Sequence, residues 1–297
     1  MIVTERKSGF LWKALINLLF IALSVCCVAP LLLILSASFT TELGLSSKGY
    51  SFIPSDFSLQ AYEFIFQNPA QLFNSYGVTI FVTAAGTFCG LLVTSALAYV
   101  ISRRDFKLYR LFSFMTLFTL LFSGGMVPSY IIITKYYHLK DTIFVLILPY
   151  LLSSWYVFLM KGFFLDIPSS LVEAAKIDGA REVSIFFRII IPISKPALAT
   201  VGLFIAFAYW NDWWLSMLYI DSARLTSLQF YLYRIMNNIQ FLAQVTQNVN
   251  VSINLSEMPS ETARMALCVL AAGPMLVIFP FFQRYFVRGI TMGAVKG

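Results

Sequence analysis

Histidine is almost missing from this chain: 297 residues contain one, His138, together with only 14 acidic residues and four cysteines. Each scarcity excludes a chemistry. A lone histidine with no second one and no cysteine cluster leaves no ligand set for a zinc-type centre. A Ser-His-Asp arrangement would have to run through His138, and nothing places a nucleophile near it. The residue falls on a short turn beside Lys140 and Asp141 and reads as a solvated surface group. No glycine-rich loop ending in Lys-Ser or Lys-Thr occurs, so the chain does not hold ATP by that mechanism. Cys26, Cys27, Cys89 and Cys268 all lie in apolar runs without metal-ligand spacing or redox pairing, and read as small packing residues. The reading therefore contains no catalytic residue, no metal site and no enzyme.

What the chain has instead is apolar surface. Hydrophobic residues make up 59% of it and charged residues 12%, with 29 phenylalanines, more than a soluble domain can cover with polar groups. The bilayer is the solvent that suits such a chain. Six apolar runs, at about 14–36, 76–101, 111–134, 142–160, 197–220 and 265–282, each approach or exceed the roughly 20 residues that cross about 30 Å of hydrocarbon as a helix. The first has Arg6, Lys7 and Lys13 ahead of it and Ser36-Ala37-Ser38 behind, as a secretion signal would. Its apolar run exceeds a signal core, so it reads as a retained membrane helix. The expectation is an all-α membrane protein with six transmembrane helices, a single transmembrane domain over 1–297, no sequence repeat and no low-complexity tract.

The formal net charge of +7 does not point to nucleic acid, because its distribution follows membrane insertion. With the N-terminus in the cytoplasm, fifteen Lys and Arg residues fall inside and six outside. Both termini and the loop between the fourth and fifth spans are then cytoplasmic.

That loop organises the rest. Ser170 and Glu173 have the S-x-x-E spacing of a capping box and Pro168 stands upstream, so a helix is expected to start there. Asp178-Gly179 stops it after about two turns, glycine being able to take the left-handed conformation. A second short helix from about Ala180 is expected to pack Val183, Phe186, Phe187 and Ile190 to one side, with Pro192 and Pro196 closing it. The pattern Glu173-Ala174-Ala175, Gly179, Ile189 and Pro192 resembles the signature loop of the membrane subunits of binding-protein-dependent ABC importers, with Ile191 where leucine is usual. Over nearly all its length, including the tail 289–297, the chain is similar to the maltose-type carbohydrate branch.

The resemblance implies the type I importer (MetI-like) fold, with a core and coupling loop over about 73–288, a first helix and outer loop over 1–72, and a cytoplasmic tail from 289. It implies a carbohydrate cargo, a second and different permease, an extracytoplasmic solute-binding protein and two cytoplasmic ATPases that bind ATP and Mg, this chain having no cofactor. Ser170, Glu173, Ala174, Ala175, Asp178, Gly179, Arg181 and Pro192 would couple to an ATPase. Gly293, Ala294, Val295 and Lys296 would reach between the two ATPases.

Polar groups inside the spans mark the candidate path, since they are expensive there. Ser123-Gly124-Gly125 with Pro128 interrupts the third span, as broken helices do beside a cavity. Tyr209-Trp210-Asn211-Asp212 in the fifth offers aromatic faces and hydrogen-bonding groups of the kind that hold sugars; an aromatic belt is the competing reading. Tyr150, Ser153, Ser154, Trp155 and Tyr156 in the fourth read as helix packing. On the outer side, short helices are expected at about 59–66 and 225–241, with a polar tract over 244–260, in segments of the kind that dock a binding protein. Two other functions compete: import of a non-sugar solute on the same framework, and an ion-driven carrier, for which Asp212 alone is thin support.

Overall fold

The computed structural model describes residues 4–248 and 260–293, with side chains described over 12–242 and 260–280. Among these residues every regular element is helical, apart from one isolated antiparallel bridge between Thr40 and Phe57. Two compact units divide the chain, Met1–Pro69 with Arg234–Gly273, and Ala70–Tyr233 with Pro274–Gly297.

Helix α1 (Thr4–Ser38) contains a 27-residue apolar stretch, Trp12–Ser38, of mean hydropathy 2.9. Large side chains such as Leu18, Phe20 and Val25 are exposed all around it, a surface that only lipid solvates well. Two short helices follow. In α2 (Glu42–Lys48) the Thr41 hydroxyl caps the start by accepting from the Gly44 N–H at 3.0 Å. Helix α3 (Gln60–Ile65) falls where the spacing predicts it.

Helix α4 (Pro69–Ser102) turns the soluble pattern inside out. Its small residues Thr79, Gly86, Gly90, Thr94 and Ala98 recur at helical spacing and are buried, while Phe81 and Phe88 point away, the latter 72% exposed. Close helix contact in a membrane favours small side chains inside, because lipid already solvates the large ones.

The next two expected spans are broken. Helix α5 (Tyr109–Leu121) and α6 (Met126–Ile131), the latter continued by a π-helical turn through Tyr136, meet at 112°. Two 3₁₀ turns, Ile143–Leu146 and Leu148–Tyr150, then meet α7 (Ser154–Leu165) at 50°. Pro149, in the second of these turns, has no N–H to donate, which favours the break.

Helix α8 (Ser169–Ile177) precedes α9 (Glu182–Ile185), a π-helical turn (Phe186–Ile190) and α10 (Ile191–Ile193). An 85° bend leads into α11 (Lys195–Trp210), and α12 (Trp214–Tyr219) follows. The fifth expected span therefore ends as a helix at Trp210, ten residues before Ile220. Helix α13 (Leu228–Asn248) covers the helix expected at 225–241 and starts three residues later. Helix α14 (Glu261–Gly293) contains the last span. Most of the polar tract expected at 244–260 lies outside the described residues. Among the described residues three helices are long and apolar enough to cross a membrane alone, or up to six if each bent pair is one span.

Candidate functional site

The elbow is built from α8, the turn at Gly179 and the bent segment after it. The expected capping box does not form. Pro168 occupies the cap position and Ser170 is the second residue of the helix, so its hydroxyl is past the point where it could cap. The missing N–H of a proline is no loss at a helix start, where donors lack partners anyway. Glu173 is exposed and makes no hydrogen bond or ion pair among the described residues. At the other end the Gly179 N–H donates to the Lys176 carbonyl (3.0 Å) and the Ala180 N–H to the Ala175 carbonyl (2.9 Å), with Gly179 at φ 78°. These two bonds are the Schellman closure that a left-handed residue permits.

Two faces of α8 differ. Val172 and Ala175 are buried, whereas Ser170, Glu173, Ala174 and Ile177, at i, i+3, i+4 and i+7, share an exposed face. Ile177 is 86% exposed, an unusual place for an isoleucine. Beyond the turn, Asp178 and Arg181 are exposed. The buried residues there are Ile185, Phe186 and Ile190, while Val183 and Phe187 point outward, contrary to the face expected from a continuous 3.6-residue period. The π-helical turn Phe186–Ile190 changes the period. Pro192 does not end the helix; it falls in the first turn of α10, and the chain turns only after Ile193.

A charge cluster that the sequence reading missed ties this elbow to the end of α4. Asp105 accepts from Arg103 Nε at 2.8 Å and from Lys176 Nζ at 2.7 Å. Lys176 also bonds Glu182 at 2.9 Å, and Glu182 faces Arg103 at 3.4 Å, so four alternating charges close a ring. The buried Tyr99 hydroxyl enters it, donating to Glu182 (2.9 Å) and accepting from Arg103 (2.6 Å). The Arg103 guanidinium, followed by Lys176, holds the Asp105 carboxyl well below the usual carboxylate range. Burial works to raise Glu182, but hydrogen bonds from Lys176 and Tyr99 outweigh it and leave the group lowered. Lys176 is raised by its bonds to Asp105 and Glu182. A cavity of about 510 Å³ lies beside the ring, lined by Arg104, Ser169, Glu173 and Lys176 among others. The available signal was a pair of opposite charges three residues either side of Gly179, plus a basic-acidic run directly after a span.

Of the candidate path residues, Gly124 and Gly125 sit at the 112° break, with Gly125 at φ 85° and open space where a Cβ would be at both. At Gly125 the left-handed conformation, not a tight contact, calls for glycine. Tyr209 is buried and donates to the Ile147 carbonyl at 2.7 Å. Trp210 is buried as well. Asn211 bonds back to the Phe207 carbonyl at 3.0 Å, and Asp212 accepts from the Leu215 N–H at 3.2 Å and from the Tyr150 hydroxyl. Asn211 and Asp212 thus satisfy backbone groups freed where α11 stops and α12 begins. Trp213 stacks on Tyr233 at 4.9 Å and meets Trp214 edge-on.

A cavity of about 540 Å³ brings Tyr209 together with Tyr150, Ser153, Ser154 and Tyr156, the cluster assigned above to packing, and with Thr119. Gly124, Gly125, Trp210, Asn211 and Asp212 do not line it. Its size is that of a small-molecule pocket, and aromatic faces beside hydroxyls suit a polyhydroxylated guest. Two glycines of α4 allow close approach to Tyr209, which lines it, and to Leu151, a contact the Gly86-x-x-x-Gly90 spacing could have announced. A Cβ on Gly86 would lie 2.5 Å from the Tyr209 ring, and one on Gly90 would lie 3.1 Å from the Leu151 carbonyl. In the tail, Gly293 is the last residue of α14, and Ala294, Val295 and Lys296 lie outside the described residues.

The chain is 37% identical over 97% of its length to the polygalacturonan/rhamnogalacturonan transport system permease protein YtcP of Bacillus subtilis, covering 99% of that protein. It is 36% identical to protein LplC of the same organism, over 95% of this chain and 94% of that one. In fold it matches a chain of a bacterial ABC transporter involved in the import of the acidic polysaccharide alginate, with a TM-score of 0.76, 26% identity and coverage of 96% and 99%. Residues 86–292, which include the elbow and the cavity, match the family described as binding-protein-dependent transport system inner membrane component. With more than half its length matched and relatives this similar, the chain belongs to that family, as the elbow motif indicated.

Proposed function

We propose that this chain is one permease of an ATP-driven oligosaccharide importer, forming the membrane path with a second, different permease. A binding protein outside delivers the sugar, and two cytoplasmic ATPases hold ATP and Mg, for which this chain supplies no site. The charge bias supports cytoplasmic termini and a cytoplasmic elbow. The exposed face of α8 carries the reading. Its unpaired Glu173 is free to anchor on a cationic group, Ala174 permits close approach, and Ile177 has apolar area to bury. Ala175 packs inward instead. Seated in a groove of an ATPase, the elbow would move as nucleotide closes the ATPase pair, and the helices would rock between inward-open and outward-open. The tail from Gly293 to Lys296 would reach between the ATPases.

The cargo follows from the transport of saccharide polymers by relatives and from the hydroxyl-rich, aromatic cavity beside Tyr209. Fragments of an acidic polysaccharide are the substrates to try first. The test is uptake by the full complex in proteoliposomes, using labelled oligogalacturonides, neutral oligosaccharides, amino acids and polyamines. ATP-dependent saccharide uptake is expected. Amino-acid or polyamine uptake would refute the cargo, and uptake driven by an ion gradient with no ATPase bound would refute the coupling.

A further inference from the structure

The charge ring beside the elbow joins parts that the sequence keeps far apart. Lys176 lies on α8 before the glycine turn and Glu182 opens α9 after it, and their 2.9 Å contact braces the turn from both sides. Asp105 and Arg103 belong to the loop after α4, more than seventy residues earlier, and grip both braces. Behind them, Tyr99 is held by the core. It packs edge-on to Phe164 at 6.4 Å and against Phe186 at 5.4 Å, and the Arg103 guanidinium lies over its ring at 5.5 Å. The elbow's apolar side, Val172, Ala175, Ile185, Phe186 and Ile190, shares one buried core with Met160 and Phe164 of α7 and Ala197 of α11. Its polar link to α4 is this ring, beside the apolar Tyr99–Phe186 contact, and α4 is the helix whose Gly86 packs against the cavity residue Tyr209.

We propose that Asp105 and Lys176 are positioning residues of transport: their ion pair, within the ring closed by Arg103, Glu182 and Tyr99, passes displacement of the elbow to α4. This rests on the elbow docking on an ATPase. The ring's stiffness comes from closure. Each charge has two partners, so an exposed pair that would be weak alone is held in place by the others.

Reconstituted full complex carrying Lys176→Met, Asp105→Asn, both, or Lys176→Arg tests it. The readouts are sugar imported per ATP hydrolysed and crosslinking of an Ala174→Cys substitution to the ATPase. Each neutral variant is expected to lower the transport ratio about fivefold or more, with crosslinking retained. The double variant should be no worse than the poorer single one, because both remove the same pair. Lys176→Arg should restore most of the ratio. A wild-type ratio in both single variants overturns the proposal, and so do losses that simply multiply in the double variant. A decline only in the amount of assembled complex, with the ratio intact, shows a merely structural ring and overturns it equally. Failure of Ala174→Cys to crosslink in the otherwise unaltered complex would instead remove the docking on which it depends.

Discussion

Gly86→Ala isolates one contact on the cavity wall. The new Cβ would meet the Tyr209 ring at 2.5, 2.6 and 2.8 Å, where carbon atoms at van der Waals contact are about 3.5–4.0 Å apart, so the ring must retreat by about 1 Å. It has little freedom to do so, being buried, hydrogen-bonded to the Ile147 carbonyl and edge-on to Tyr150 at 6.2 Å. Overpacking of this kind costs about 1–3 kcal/mol. Loss of the hydrogen bond adds about 1 kcal/mol and loss of the ring pair about 0.5–1.5 kcal/mol. The expected destabilisation is about 2.5–5.5 kcal/mol, read as a lowered thermal midpoint of the detergent-solubilised complex. Gly90→Ala should cost far less, since its neighbours need give only a few tenths of an ångström. In a Tyr209→Leu background, Gly86→Ala should cost less than about 0.5 kcal/mol, because the obstructing ring is gone. An unchanged midpoint for Gly86→Ala alone, or an equal loss in both backgrounds, would refute the placement of Tyr209 against α4.

At Gly179, with φ 78°, leucine would pay about 1–2 kcal/mol for the left-handed conformation and open the Schellman closure. Gly179→Leu is expected to leave the protein inserted while lowering sugar uptake per ATP hydrolysed; normal uptake in vesicles counts against the elbow's role. Glu42→Gln addresses the start of α14, where the buried carboxylate accepts from Ser260 Oγ, Glu261 N, Thr262 N and Thr262 Oγ1 at 2.8–3.0 Å. An amide must turn its NH₂ on some of those donors, for a loss of about 1.5–3 kcal/mol. Burial works to raise the Glu42 carboxyl, but the Glu261 and Thr262 N–H groups and two hydroxyls leave it below its ordinary value of 4.5. Its contribution is therefore full above about pH 4.5 and fades as pH falls through the lowered value. The thermal midpoint of wild type should drop toward that of Glu42→Gln on acidification, and a constant gap between them would contradict the linkage.

The sequence made the long, uniform pieces readable and obscured the broken ones. α1 and α4 announce themselves because more than twenty apolar residues have one explanation, the bilayer. Gly179 was readable because a left-handed helix stop needs little beyond glycine itself. The capping box failed on the same stretch because Ser170-x-x-Glu173 gives a spacing without fixing the first residue, and the cap falls at Pro168, two residues earlier. Val183 and Phe187 were assigned inward because a π-helical turn leaves no mark in an apolar run. The ring of Arg103, Asp105, Lys176 and Glu182 was hard to read because its two local pairs, Arg103–Asp105 and Lys176–Glu182, are joined by two contacts that only the fold brings together.

The fifth span shows why a polar residue inside an apolar run is an ambiguous signal. Such a residue is expensive in lipid whether it serves a guest or the chain's own backbone. Asn211 and Asp212 serve the backbone at Phe207 and Leu215, where one helix stops and the next begins, and Asp212 also accepts from the Tyr150 hydroxyl. Tyr209, two residues earlier, is the one of the four that reaches the cavity, and it does so beside serines and tyrosines of the broken fourth span. The breaks and the cavity are thus connected. A helix that stops inside a membrane frees donors and acceptors, and these need either side-chain partners or a polar space. At Asn211 the side chains suffice, so that break needs no cavity. The turns ending at Tyr150 open onto one, lined by the Ser153 and Ser154 at the start of α7. The second break is therefore the place where a sugar would find hydroxyls, and the aromatic run in the fifth span contributes one ring to it.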